Sequence, residues 1–218
     1  PRIGYDVHSC TFPTALAACM TYLGDPADYD YLMGVTGLAF RRLWNRDDGG
    51  NIGPMHFAPE CVRRAFTALG YEHRLLSHQA GRNRLVQALK ESLAQGRPVL
   101  ASGIVGPPEC EIVTGYSSGG EVLHGWSFFQ DKPATGYYAQ PNWYEKASWA
   151  NGLGFILIGD KERWPGPSRR DILISSLKWA VDLERSAKRP DLPDHVSGLA
   201  AYEAWAKALE VDADYPKE

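Results

Sequence analysis

The chain has 218 residues, 44% hydrophobic and 22% charged, with a formal net charge of −3. That length suits one large domain or a domain with an appendage, and the charge supplies no basic field for nucleic acid or an anionic membrane. No apolar run reaches the roughly 18–20 residues of a membrane span, and the N-terminus does not read as a signal peptide.

The four cysteines, Cys10, Cys19, Cys61 and Cys110, form neither a CxxC nor a His/Cys ligand set. They read as free thiols of a reducing cytoplasm, with no metal and no cofactor expected. Aromatic residues make up 11% of the chain, seven of them Trp, which points to a rigid core before an aromatic-lined pocket.

The first element is "SCTFPTALAACMTYLG", residues 9–24. Its apolar run from Pro13 to Leu23 suits a helix, with Pro13 at the first helical position, Thr11 or Phe12 as cap and Gly24 as the stop. "DPADYDYLMG" reads as a second short helix and "LAFRRLW" as an alternating strand. "GGNIGP" is a Gly-rich loop without the Lys and helix of a phosphate site.

"APECVRRAFTALG" is an amphipathic helix with Cys61, Ala65, Phe66 and Leu69 on one face. "YEHRLLS" is a short strand. "NRLVQALKESLAQG" is a helix with Leu85, Leu89, Ser92 and Leu93 inward and Lys90 outward, and "RPVLASGIV" is the strand after it. "ECEIVTGY" and "EVLHGWSFF", joined by "SSGG", read as an antiparallel hairpin. A Pro/Tyr/Trp-rich loop follows over roughly 130–150, and "GFILIG" is a fully apolar, central strand. Two helices close the chain, capped by Ser168 and Ser197, with "KRPDLPDH" as their linker. Helices first, then an antiparallel sheet, then closing helices define an α+β fold.

Three of these pieces occur in one order: a Pro-initiated helix ending in Tyr-Leu-Gly, a helix leading into "GRPVLASGI", and a strand ending in "VTGY". Together they resemble the papain-like cysteine peptidase superfamily, near the branch that cleaves double-glycine leader peptides. They are also similar to the N-terminal domain of butirosin biosynthesis protein H, an acyltransferase of the same fold. "DYLMGVTGLAFRRLW" and "GPPECEIVTGYSSGGEVLHGWSFFQ" look like bacterial proteins grouped near that domain. The resemblance covers roughly residues 5–160. It implies a papain-like domain over 1–165, with an N-terminal helix packed on an antiparallel sheet. Residues 166–218 become a C-terminal helical extension packed on or following it.

Such a family uses a Cys nucleophile at a helix N-terminus, a His base on the first hairpin strand, and an Asp or Asn that orients the His. A helix N-terminus favours the thiolate, and the third group fixes the tautomer of the base. Counting back from "YLG" puts Thr11 on the Cys position, Phe12 on the Gly and Pro13 on the Pro, with Cys10 one residue early. Glu109 stands where the His is expected, and the third position near His124 to Ser127 holds no Asp or Asn. All three roles are altered or displaced.

The catalytic candidates are therefore Cys10, Glu109 and His124. Beside them, His8, Thr11, Glu111, Trp126 and Asn142 are candidate substrate-binding residues. Each also has a plain structural use. Cys10 is a small buried residue, Thr11 a helix cap, Glu109 a partner for backbone amides or an Arg, and the histidines satisfied structural groups. Strand parity sets Glu109, Glu111 and Val113 on one face, where two carboxylates form a raised-pKa acid or a cation or amine spot. The aromatics of "GWSFFQ" and "PNWYEKASW" serve as core or as a lid, and Asn142 is a distant stand-in for the orienting Asn.

The leading expectation is a papain-like domain with a degraded triad that binds a small molecule or peptide in the old cleft. The acyltransferase likeness adds an acyl carrier protein as a candidate partner. One alternative is an active thiol hydrolase or acyltransferase using Cys10 with a rewired base. The other is a structural or partner-binding subunit, which predicts an exposed apolar stripe on residues 172–183 or 198–209.

Overall fold

The computed structural model describes residues 8–47, 58–106, 109–129, 144–147, 154–163, 166–190 and 192–211. Helix α1 (Thr11–Tyr22) is followed by α2 (Tyr29–Thr36), β1 (Leu43–Trp44), α3 (Pro59–Leu69), β2 (Tyr71–Ser77), α4 (Arg82–Ala94) and β3 (Val99–Ser102). Then come the hairpin strands β4 (Cys110–Ser117) and β5 (Val122–Trp126), β6 (Tyr144–Ala147) and β7 (Gly154–Lys161). Helix α5 (Arg169–Arg185), β8 (Lys188–Arg189), β9 (Leu192–Ser197) and α6 (Leu199–Leu209) complete the order. The fold is α+β, with every strand pair antiparallel.

The main sheet has six strands in the order β2-β7-β3-β4-β5-β6. Period-two alternation divides its side chains between two helical layers. Leu100, Cys110, Ile112, Ile156 and Ile158 pack with Phe12, Leu16, Met20 and Phe66 from α1 and α3. Val99, Ala101, Val113, Phe155 and Leu157 pack on the other face with Leu85, Ala88 and Leu89 of α4. Strand β7 is apolar at consecutive positions because both its faces are covered, and it lies inside the sheet as "GFILIG" suggested.

Several local expectations change. Cys10, not Thr11 or Phe12, occupies the N-cap of α1, and Pro13 is the third helical residue. That position tolerates Pro because first-turn N–H groups have no intrahelical acceptor. Helix α2 starts at Tyr29, where Asp28 accepts the Tyr31 N–H, rather than at Asp25. "LAFRRLW" splits into a 3₁₀ turn and the two-residue β1. The supposed 130–150 loop contains edge strand β6; its remaining residues, and "GGNIGP", lie outside the described residues.

The "KRPDLPDH" linker is instead β8 and β9, which form a second sheet in the order β1-β9-β8. Ser168 caps α5 as expected, accepting the Asp171 N–H, but Gly198 occupies the cap of α6 and Ser197 donates its hydroxyl to the Ser186 carbonyl. The described residues of 166–190 and 192–211 thus form a helix, an antiparallel strand pair and a helix, joined to the N-terminal part through β1. Gly37 fixes the contact of α5 with the end of α2. Its φ is +80°, and a Cβ there would stand 2.5 Å from Trp179 Nε1.

Candidate functional site

Helix α1 lies against β4, and its N-terminus meets the residue just before that strand. Thr11 Oγ1 donates to Glu109 Oε2 at 2.7 Å, and the Cys110 N–H donates to Thr11 Oγ1 at 3.1 Å. Thr11 is 0% exposed. With its side chain sealed from solvent, the hydroxyl is out of reach of a substrate as it stands.

Cys10 sits one residue earlier, half-buried. Its N–H donates to the Tyr29 hydroxyl at 3.3 Å, and its carbonyl accepts the Thr14 hydroxyl at 2.8 Å. Burial pushes the Cys10 thiol up to about 12; the nearby Glu109 carboxylate and Cys61 add to the rise. The Phe12 N–H and the Arg41 guanidinium favour the thiolate but do not reverse the shift. At neutral pH Cys10 is a protonated thiol.

His8 stacks on Tyr29 with ring centroids 3.7 Å apart. Cys10, Thr11 and Glu109 are therefore assembled at one spot, with His8 held beside it through Tyr29. His124 is not. It pairs with Gly115, six residues up β4 from Glu109, roughly 20 Å at strand rise. There its Nε2 lies 3.0 Å from Ser117 Oγ, and its Nδ1 faces Glu145 at 3.6 Å. Trp126 is 9% exposed, opposite Ile112 in the α1-side core, so it packs the core rather than covering a cleft. Asn142 lies outside the described residues.

The two carboxylates part company. Glu111 points to the α4 side with Val113, as strand parity requires, whereas Glu109 precedes the strand and turns its carboxylate to α1. Glu111 is 0% exposed; its Oε1 accepts the Val105 N–H at 2.8 Å and its Oε2 has no hydrogen-bond partner. Burial holds this carboxyl well above the usual range, against the pull of the Val105 N–H and Lys146.

The sequence reading missed Tyr29, Thr14 and Arg41. Arg41 is 7% exposed and donates to Cys61 Sγ at 3.3 Å, which places a cation beside the Cys10 environment. Its sequence signal was an arginine inside the apolar "LAFRRLW" run. All four cysteines are free thiols. A cleft of about 150 Å³ opens farther along the α1–β4 seam, lined by Ala18, Cys19, Tyr22, Pro98, Ile112 and Thr114 among others.

Among the described residues no group of His, Cys, Asp and Glu is placed to hold a metal ion, and no helix is long and apolar enough to cross a membrane. Set against protein-family models, curated proteins and solved structures, the chain matches none of them.

Proposed function

We propose that this chain is a papain-like domain of a cytoplasmic bacterial protein in which a Thr–Glu pair has replaced the Cys-His dyad, and that it acts by binding rather than by thiol catalysis. The observation that carries this reading is the 2.7 Å hydrogen bond from Thr11 to Glu109. These are the two residues that the family pattern aligns with nucleophile and base, and they meet in space although 98 positions separate them. A carboxylate beside a thiol raises the thiol pKa where an imidazolium would lower it, so Glu109 works against thiolate formation. The ligand class is a small molecule or a peptide, with an acyl carrier protein as the macromolecular candidate. The apolar seam between α1 and β4 offers it a surface.

The experiment is acyl trapping. The protein is incubated with a small activated thioester at neutral pH, and the intact mass and tryptic peptides are read by mass spectrometry. The expected result is no acyl adduct on Cys10 or Thr11. An adduct on either residue, abolished by Cys10→Ser or Thr11→Val respectively, overturns the reading in favour of an active acyltransferase or hydrolase.

A second reading, a partner-docking subunit, is favoured by α5 and α6. Leu173, Ile174, Leu177 and Val181 on α5 are 36–64% exposed, and Leu199, Tyr202, Trp205 and Leu209 on α6 are 46–60% exposed. These are the stripes that this alternative requires.

A further inference from the structure

Helix α5 carries two faces. Ser176, Ala180 and Leu183 are buried against the body of the protein. At 100° per residue, Arg170, Ile174, Leu177 and Val181 fall within about 60° of one another on a different side. Leu177 is 64% exposed and Val181 46% exposed. Positions 170, 174, 177 and 181 have the a/d spacing of a helix–helix seam, and Asp171 and Lys178 lie along the same flank, one heptad apart.

Those two charges select an occupant. When a second copy of α5 lies antiparallel on the first, with the two-fold axis passing between residues 175 and 176, Ile174 meets Leu177 of the other copy and the reverse. The same register sets Asp171 against Lys178 of the other copy, twice by symmetry. Val181 covers the aliphatic stem of the facing Arg170. A parallel pair brings Asp171 and Lys178 to no such meeting, since flank residues then pair five positions apart across opposite edges. Self-complementarity of this kind is what an isologous two-fold interface needs. The α6 stripe adjoins the same surface: Arg42 pairs with Glu184 of α5 at 3.7 Å and hydrogen-bonds the Tyr202 hydroxyl of α6.

We infer that this chain forms a two-fold homodimer through antiparallel packing of α5 on its copy, sealed by two Asp171–Lys178 pairs. The inference rests on the docking reading and names its occupant; it is independent of the Thr11–Glu109 pair.

The test is mass by light scattering at tens of micromolar protein. The parent chain is expected at twice its chain mass. Lys178→Glu places like charges in both pairs, as does Asp171→Lys, so each variant alone is expected as a monomer. Mixed one to one, they restore Asp–Lys and Lys–Glu pairs, and the dimer mass returns at lower salt. A monomeric parent, two charge variants that both stay dimeric, or a mixture that remains monomeric each overturns the inference. Leu177→Glu, followed by its thermal melt, tests the underlying docking reading separately. A monomer mass is expected, with the melt lowered only to where a diluted, dissociated parent melts. A melt collapsed in the monomer means the stripe is covered by the chain itself, and the docking reading fails with it.

Discussion

Thr11 Oγ1 gives its proton to Glu109 Oε2 at 2.7 Å while accepting the N–H of Cys110, so one hydroxyl ties the first turn of α1 to the start of β4. A neutral donor to a charged acceptor contributes about 1.5–3 kcal/mol net when water is excluded.

Thr11→Val keeps the shape and removes both bonds. It is expected to destabilise the fold by roughly 2 kcal/mol, and Thr11→Ser by much less. A double-mutant cycle with Glu109→Ala in urea isolates the pair, with a coupling of about 1–2 kcal/mol expected and additivity counting against a direct bond.

Glu111 makes stability fall with rising pH. Its folded pKa is raised, so the folded state keeps its proton after the unfolded chain has lost it. Its contribution is fully present below the unfolded value of about 4.3 and is lost progressively as pH climbs toward the raised folded value. Glu111→Gln removes this titration. Urea midpoints of the two proteins, compared across pH, are expected to diverge in favour of the Gln variant as pH rises. Parallel curves would show that the carboxyl titrates normally.

Gly37→Ala meets two obstacles, a φ of +80° and a Cβ 2.5 Å from Trp179 Nε1. The left-handed backbone alone costs about 1 kcal/mol, and displacement of Trp179 adds to it. The ring also faces the Arg64 guanidinium at 4.7 Å. A loss of roughly 2 kcal/mol is expected by chemical denaturation, with Trp fluorescence reporting the movement of α5. Gly34→Ala, with open space around its Cβ position inside α2, is the matched control and is expected to be neutral or stabilising.

Elements with strong local signals were legible in the chain. The amphipathic stripe of α3, the Gly after it, the hairpin turn and the apolar run of β7 all stand where periodicity and turn chemistry put them. Strands β8 and β9 were not legible, because Pro193, Asp194 and His195 lack strand propensity and the pairing partner, β1, is about 150 residues away in sequence. Parity placed Glu111 and Val113 on one face correctly, but it misplaced Glu109, which lies just outside the strand and is free of its alternation. The Thr11–Glu109 contact could be anticipated only through the family pattern, since no local rule links residues so far apart.

The central claim, that the thiol chemistry is gone, is tested most directly by the rate at which iodoacetamide labels each of the four cysteines, read by mass spectrometry from about pH 5 to pH 9. A buried thiol raised to about 12 is expected to leave Cys10 no faster than an ordinary exposed thiol at any pH in that range, and nearly silent at neutral pH. Labelling of Cys10 far ahead of Cys19, Cys61 and Cys110, persisting below neutral pH, would mean a stabilised thiolate and would contradict the account.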